Sequence, residues 1–114
     1  MNTEPEELVT AIQARVRERR YRLTSHAERE READQITARE IKQALLSSQC
    51  ELLENYPDDP RGASCLVLGF TQANAPIHLV CGVARIDEMV IIITVYRPDR
   101  DEWIDWRQRR EEVR

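Results

Sequence analysis

The feature that most constrains the fold is a set of three apolar segments between Ser64 and Pro98. They read SCLVLGFT, PIHLVCGVAR and MVIIITVYRP, and the short stretches QANA and IDE separate them. Segments rich in Val, Ile, Leu and Thr with short connections are typical of an antiparallel β-meander. Because the segments are almost continuously apolar, we expect both faces of this sheet to be at least partly covered.

The segments before this sheet predict three helices. Apolar residues at helical spacing mark the first helix, which ends near Arg19; they are Leu8, Ile12 and Val16. Ser25 with Glu28, and Thr37 with Glu40, have the spacing of capping boxes and predict the starts of the second and third helices. The third helix is expected to turn Ile41, Ala44 and Leu45 toward the core.

Two further segments complete the predicted fold. CELLENY, from Cys50 to Tyr56, is a fourth strand, and residues 21–24 are either a short edge strand or an extended link. Asp99 and Glu102 have capping-box spacing, which predicts a C-terminal helix that carries both tryptophans on one side. The predicted fold class is α+β, with N-terminal helices packed on a four-stranded antiparallel meander sheet and a C-terminal helix after it.

Length and composition fit one domain rather than several. We expect this domain to span 1–114, with a core over about 21–106, an N-terminal helix over 1–19 and a frayed tail over 107–114. No apolar run approaches the roughly 18 residues that a membrane span needs. The acidic N-terminus also lacks the pattern of a secretory signal. We therefore expect a cytoplasmic protein with no membrane partner.

Charge and cysteine content bear on the class of function. The net charge of −4 argues against a protein that coats nucleic acid nonspecifically, although residues 15–31 hold seven arginines against three glutamates. A solvated helix face and a patch that binds a partner both explain these arginines. Three widely spaced cysteines, two histidines and no CxxC pair predict buried, reduced thiols, no metal site and no cofactor.

Alternation along the strands predicts which side chains share a face of the sheet. A last turn centred between Arg85 and Glu88 places His78 opposite Tyr96 and Val80 opposite Thr94, while the preceding turn places Phe70 opposite His78. One face then carries Tyr56, His78, Thr94 and Tyr96 with Leu66, Leu68 and Phe70. The opposite face, which we expect to pack against helices, carries Val67, Ile77, Leu79, Val83, Ile91, Ile93 and Val95. One unrecognised bulge would break this assignment.

A second imidazole, His26, is expected at the first position of the second helix, where backbone N–H groups and the helix dipole favour an anion. Arg29 and Arg31 follow it closely enough to hold a phosphate. Such a set can cleave RNA without a metal: one His removes the 2′-OH proton, Arg stabilises the phosphorane and a second acid protonates the leaving oxygen. The candidate catalytic residues are His26, His78, Arg29, Arg31, Thr94 and Tyr96.

Each of these residues also has a purely structural interpretation. A His at a helix start is commonly a cap or a buried hydrogen-bond donor, and a His in mid-strand is commonly a cross-strand partner of an aromatic residue. Thr94 and Tyr96 are good strand formers without any further role. The sequence therefore leaves catalysis and structure open as roles for this set.

Several motifs resemble one family of domains of unknown function, the family numbered 4258. The run LTSHAEREREADQI, from Leu23 to Ile36, resembles the opening of that family, and CLVLGF, PIHLVCGV and IIITVYRPD followed by Trp103 resemble its later parts. The resemblance covers about 21–106. The sequence departs from the family's pattern at Gln35, where an arginine is usual.

The resemblance implies a compact α+β fold similar to the RelE and BrnT ribonuclease toxins of toxin–antitoxin pairs. By that analogy His26, Arg29 or Arg31, His78 and Thr94 are candidate active-site positions. The acidic isoelectric point of about 5.3 argues against a ribosome-dependent toxin, which is expected to be basic.

Three functions follow as alternatives. The first is a metal-independent endoribonuclease that acts on RNA and is neutralised by an antitoxin-like protein; it predicts that His26 and His78 converge in an open cleft. The second is a non-catalytic domain that binds a protein partner or itself as a homodimer; it predicts separated or fully packed histidines and an exposed apolar patch. The third is an inactive relative of such a nuclease that keeps the fold alone.

Overall fold

A computed structural model describes residues 4–110 of the chain. It contains three helices, a five-stranded sheet and a small two-stranded hairpin. The helices are α1 (Pro5–Arg17), α2 (Ser25–Ala33) and α3 (Ala38–Leu45). The strands are β1 (Tyr21–Leu23), β2 (Glu51–Tyr56), β3 (Ser64–Phe70), β4 (Pro76–Gly82), β5 (Val90–Tyr96), β6 (Trp103–Ile104) and β7 (Gln108–Arg109). None of the helices within 4–110 is long and apolar enough to cross a membrane.

The α+β class and the antiparallel meander of β2 to β5 are confirmed, but the sheet has a fifth strand. Its strand order is β1-β5-β4-β3-β2, and β1 pairs with β5 in parallel, with Tyr21 opposite Val90. The sheet is therefore mixed rather than purely antiparallel. Of the two alternatives for residues 21–24, the short edge strand is confirmed and the extended link is not. The chain forms a strand there because the edge of β5 offers its backbone groups.

The predicted C-terminal helix is wrong. Asp99 accepts a hydrogen bond from the backbone N–H of Asp101 in a turn, and β6 and β7 then pair as a hairpin. Asp105 and Trp106, in the turn of this hairpin, have φ angles of 51° and 62°. Consecutive left-handed residues are typical of hairpin turns and cannot continue a right-handed helix. Part of the tail expected to fray is thus ordered as β7, and residues 111–114 lie outside the described residues.

Side-chain caps explain where two of the helices begin. The capping box of α3 is confirmed: Thr37 Oγ1 accepts from the Glu40 N–H at 3.0 Å, and the Glu40 carboxylate accepts from the Thr37 N–H. In α2 the cap is Thr24, whose Oγ1 accepts from the Ala27 N–H at 3.1 Å, rather than the predicted Ser25. His26 is therefore the second residue of α2 and not the first.

All three helices contribute side chains to the core on one face of the sheet. Buried side chains of α1 and α3 meet those of β3, β4 and β5 there; they include Ile12, Val16, Ile41, Leu45, Val67, Leu79 and Val95. Gly69 of β3 allows the closest approach, because a Cβ at that position would overlap the carbonyl oxygen of Ala44 in α3. Cys65 and Cys81 are buried and Cys50 is partly buried, and burial raises the pKa of the Cys50 and Cys65 thiols to about 12.

The predicted strand register is correct in the centre of the sheet and wrong at two places. His78 lies opposite Tyr96, and Val80 lies opposite Thr94, as expected. Phe70 lies opposite Pro76 rather than His78, because the β3–β4 turn is centred at residue 73, one residue before the assumed Asn74, which moves each cross-strand partner by two residues. A shift of register after Val80 inserts one residue into β5.

This bulge changes the face to which the first half of β5 points. Val90 and Ile92 are fully buried in the helix-covered core. Ile91 and Ile93, which were predicted to face the helices, instead lie beside Gly82 on the other face of the sheet. We call that second face the outer face. It also carries His78, for which the sequence left a catalytic and a structural role open.

Candidate functional site

The outer face of the sheet is divided into two halves. In the covered half, the β6–β7 hairpin lies over His78, which it contacts through the ring of Trp103 and the carbonyl of Trp106. In the open half, Gly82, Ile91, Ile93 and Thr94 form the floor of a groove, and Arg22, Arg61 and Arg85 stand along its rim. We call these two regions the covered half and the open groove.

His78 is completely sealed in the covered half. Its side chain is 0% exposed, its Nε2 lies 2.7 Å from the carbonyl oxygen of Trp106, and its Nδ1 lies 3.1 Å from the hydroxyl of Tyr96. A carbonyl can only accept, so Nε2 carries the proton and Nδ1 accepts from the tyrosine O–H. Burial lowers the pKa of His78, so the imidazole is held in its neutral form.

Aromatic contacts complete the packing around this imidazole. The ring of Trp103 meets it edge-on with centroids 4.4 Å apart, and the ring of Tyr96 does so at 5.2 Å. Burial also raises the pKa of the Tyr96 phenol to about 12, so the phenol keeps its proton. These contacts fit a structural role for both residues.

Charged side chains hold the hairpin on the sheet. Arg109 Nε donates to Glu54 Oε2 at 3.0 Å, and its guanidinium lies 4.7 Å from the centroid of the Trp103 ring. Arg107 forms an ion pair with Glu51 on the same strand. The hydrogen bond from Arg109 is the main cause of the lowered pKa of Glu54. The hairpin is thus attached to β2 through its turn, by Arg107, and through β7, by Arg109.

The open groove has no such cover among residues 4–110. The end of the groove beside Arg22 has a volume of about 490 Å³, which is within the range of ligand-sized clefts. Ile93 on its floor is 36% exposed, and Tyr56 at its far end is 42% exposed. An isoleucine and a tyrosine are thus exposed beside arginines, and tyrosine and arginine are residue types enriched at protein interfaces.

The rim of the groove is dominated by guanidinium groups. Arg61 donates to Asp59 at 3.2 Å and Arg85 pairs with Glu88, whereas Arg22 has no acidic partner among residues 4–110. The Arg61 guanidinium lowers the pKa of Asp59, first through the hydrogen bond of its side chain. Three arginines therefore face two carboxylates around an aliphatic floor.

His26 has none of the bonding partners of His78 and lies on α2, which runs along β5. Its Nε2 is 3.2 Å from Glu30 Oε1, and the same carboxylate oxygen accepts from the Val95 N–H at 3.1 Å. Thr24 Oγ1 donates to the carbonyl of Ile93 at 3.2 Å. The helix therefore satisfies backbone groups that an edge strand would otherwise expose.

The remaining predicted site residues lie in two places, on α2 and in the open groove. Arg29 is exposed on α2, and Arg31 is bonded to Glu28 at 3.1 Å and to the carbonyl of Ile36 at 3.3 Å. Thr94 lines the open groove. The structure therefore brings together His78 and Tyr96, while His26 has separate partners.

The groove residues were not identified from the sequence, apart from Thr94 and the placement of Tyr56 on its face. Arg22, Arg61 and Arg85 come from three connections or edges that are far apart in the chain. A glycine within an apolar strand, Gly82, is the one local signal, since it marks either a bulge or a close approach. Within 4–110, no group of three or more His, Cys, Asp or Glu side chains is placed to hold a metal ion.

The comparisons with known proteins identify the family. The family described as Domain of unknown function (DUF4258) matches residues 23–97, which is about two thirds of the 114 residues, so the chain belongs to that family. The matched segment contains α2, α3 and the whole meander, and it ends before the hairpin that covers His78. No curated protein and no solved structure matches the chain.

Proposed function

We propose that this member of the DUF4258 family is a non-catalytic protein-interaction domain that binds its partner in the open groove. The observation that carries the proposal is the contrast across the outer face. The imidazole predicted to be catalytic is sealed and fully bonded, whereas an aliphatic floor with an arginine rim is open to solvent.

The covered half offers little to a general acid–base reaction. A catalytic imidazole must reach the proton that it transfers, within hydrogen-bond distance or through one water. Both ring nitrogens of His78 already have partners, and Trp103 and Tyr96 pack against the ring. Catalysis by His78 would require the hairpin to leave the sheet, which would break the ion pairs of Arg107 and Arg109.

The open groove has the features that a protein partner requires. Burying Ile93 and Ile91 under a partner would remove apolar surface from water, at about 25 cal/mol per Å². The rim arginines can form charge-assisted hydrogen bonds with a partner's carboxylates or carbonyl groups. Tyr56 adds an amphipathic side chain of the type that is enriched at interfaces.

The proposal is tested by comparing two isoleucines of similar exposure. Ile93 is 36% exposed in the groove, and Ile104 is 43% exposed on the hairpin. Tagged wild type, Ile93→Glu and Ile104→Glu are each used to capture proteins from the native host. We expect a partner that wild type and the Ile104 variant retain and the Ile93 variant loses.

The same measurement can refute the proposal. Recovery of the same proteins by all three versions would mean that the groove is not the binding surface. Sedimentation of the purified wild type is run beside it, because a dimer that only Ile93→Glu dissociates would identify a second copy of the chain as the partner. Circular dichroism must show that both variants keep the fold.

A second candidate is a metal-independent endoribonuclease of the toxin type, with a RelE- or BrnT-like fold, RNA as substrate and an antitoxin-like partner. The specific observation in its favour is that Tyr56, Arg61 and Thr94 line one end of the groove, and that Tyr56 also contacts the Glu54 carboxylate. A carboxylate, a guanidinium and hydroxyl groups can together supply base, phosphorane stabilisation and acid.

This second candidate is tested by incubating a mixed RNA pool with purified protein in EDTA, with and without ribosomes. Variants Glu54→Gln, Thr94→Val and His26→Ala are compared with wild type. Cleavage that disappears in Glu54→Gln or His26→Ala while the fold is intact would replace the binding proposal. Absence of cleavage by wild type at high protein concentration supports the binding domain.

A further inference from the structure

We infer that the segment bound in the open groove is an acidic peptide, with apolar side chains on the floor and carboxylates on Arg22, Arg61 and Arg85. This inference rests on the proposed function, since it names the chemistry of the partner at that same groove. Two independent features carry it: the shape of the floor at Gly82 and the sign of the charge on the rim.

The floor contains a slot that a side chain could enter. Gly82, Ile91 and Ile93 line this slot, which is the end of the groove with a volume of about 490 Å³. A Cβ at Gly82 would already lie 3.2 Å from Ile93 Cδ1 and 3.5 Å from Ile91 Cβ, so any side chain at this position would take up part of the slot. Ala84 and Met89 continue the apolar lining toward the rim. Such a slot suits a branched or linear aliphatic side chain of the partner.

The rim presents positive charge outward, although the chain as a whole carries −4. Arg61 is 90% exposed, whereas its partner Asp59 is only 17% exposed and also accepts from the Arg61 backbone N–H. The carboxylate is therefore turned inward and the guanidinium outward. Arg85 is likewise more exposed than Glu88, and Arg22 adds a third cation, so an approaching chain meets arginine first.

A peptide fits this groove better than RNA does. Single strands of nucleic acid are usually held by several aromatic side chains on which bases stack, together with a continuous basic track. Here the floor is aliphatic, Tyr56 is the aromatic residue of the groove, and two carboxylates interrupt the rim. Carboxylates of an acidic peptide can pair with individual arginines and leave the aliphatic floor to apolar side chains.

Synthetic peptides test the charge of the occupant directly. Fluorescence anisotropy measures binding of a labelled peptide of about twelve residues with alternating Leu and Glu, beside matched peptides with Gln or Lys in place of Glu. We expect the Glu peptide to bind about tenfold more tightly than the Gln peptide and the Lys peptide not to bind. Binding should weaken as salt is raised, because screening reduces the attraction of exposed charges.

Two variants of the protein identify the place of binding. Gly82→Leu fills the slot and should abolish binding of the Glu peptide, whereas Ile104→Glu, outside the groove, should leave it unchanged. The double variant Arg61→Glu/Arg85→Glu should lose the Glu peptide and gain the Lys peptide. This exchange of preference would not follow from loss of fold, and the unchanged thermal transition of each variant is checked beside it.

The outcomes separate this inference from the proposed function. Equal binding of the Glu and Gln peptides, or tighter binding of a labelled oligouridine, overturns the acidic peptide. If capture of the native partner still depends on Ile93 in that case, the interaction domain stands and only the chemistry of its partner is wrong. If capture of the partner is also independent of Ile93, the groove as binding surface and the acidic peptide as its occupant are both wrong.

Discussion

The covered half and the open groove belong to the same sheet. They differ in whether their polar groups have bonding partners and whether their apolar side chains are shielded from water. In the covered half, His78, Tyr96 and Glu54 each have a partner, and Trp103 is 3% exposed. In the groove, Ile93 is left in water and Arg22 has no acidic partner among residues 4–110. The side chains of the covered half thus have their partners within the fold, whereas those of the open groove face solvent.

The boundary between these regions coincides with the β-bulge of β5. One extra residue after the Thr94–Val80 pair turns Ile91 and Ile93 to the outer face, while Ile92 remains in the core. Bulges commonly redirect side chains next to functional sites. The groove therefore exists because β5 is not regular along its whole length.

The largest expected difference between the two regions comes from truncating one large side chain in the covered half and one in the open groove. Trp103→Ala should lower the free energy of unfolding by about 3–5 kcal/mol, because it removes a buried ring and uncovers His78. Ile93→Ala should change it by less than about 1 kcal/mol, because the side chain is already 36% exposed. Urea denaturation of both variants measures the difference. Similar losses in the two variants would show that the groove is part of the stabilising core.

A second test uses two glycines on opposite faces of the sheet. Gly69→Ala should destabilise by about 1–3 kcal/mol or more, because its methyl group would overlap the Ala44 carbonyl and push α3 off the sheet. The added methyl group of Gly82→Ala points into the groove, where its closest contact is the movable end of Ile93 at 3.2 Å and Ile91 lies at an ordinary 3.5 Å, so we expect little change in Tm. Thermal unfolding, monitored by circular dichroism, measures the Tm of both variants. A large loss in Gly82→Ala would mean that the groove floor is tightly packed.

The centre of the fold could be predicted from the sequence because local and periodic signals agree there. Thr37 and Glu40 make the predicted capping box, and the short polar connections put His78 opposite Tyr96. The C-terminal segment could not be predicted in the same way. Asp99 and Glu102 have helix-start spacing, but two left-handed residues in the following turn decide the structure, and nothing in their residue types requires that conformation.

The candidate site could be predicted from the sequence even less completely than the C-terminal segment. Alternation identified the face that carries His78 and Thr94, yet the bulge in β5 moved two isoleucines onto that face. Burial of His78 depends on a hairpin that was expected to be a helix. The rim arginines meet only in three dimensions, so a pattern within one segment cannot reveal them.

The pH dependence of stability tests how completely His78 is sealed. Burial lowers its folded-state pKa below the ordinary value of 6.5, so as pH falls below about 6.5 the unfolded chain takes up a proton that the folded chain refuses. The free energy of unfolding should therefore decrease, by up to about 1.4 kcal/mol per pH unit, until the folded-state pKa is reached. Urea denaturation between about pH 7.5 and 5 measures this slope.

Variants assign the slope to one histidine. His78→Gln should remove the slope, and His26→Gln, which leaves the buried imidazole of His78 in place, should keep it. Glu40 and Glu54 also have lowered pKa values, but their contributions are lost only below their ordinary value of 4.5, outside this range. A slope that persists in His78→Gln would mean that another group titrates there and that the covered half is open to protons.

The smallest expected effect is the most informative about the groove. Arg22→Gln and Arg61→Gln should leave the Tm unchanged, because exposed ion pairs contribute little to stability and Arg22 has no acidic partner among residues 4–110. Arg109→Gln is the matched variant of the covered half; it loses the bond to Glu54 and the contact with Trp103, and its Tm should fall. Differential scanning calorimetry compares the three variants. If the groove variants fall as far as Arg109→Gln, the rim arginines are structural and the distinction between the two regions fails. If their Tm is unchanged, the rim arginines do not stabilise the fold, and the loss of a partner's affinity in the same variants becomes the direct test of their role.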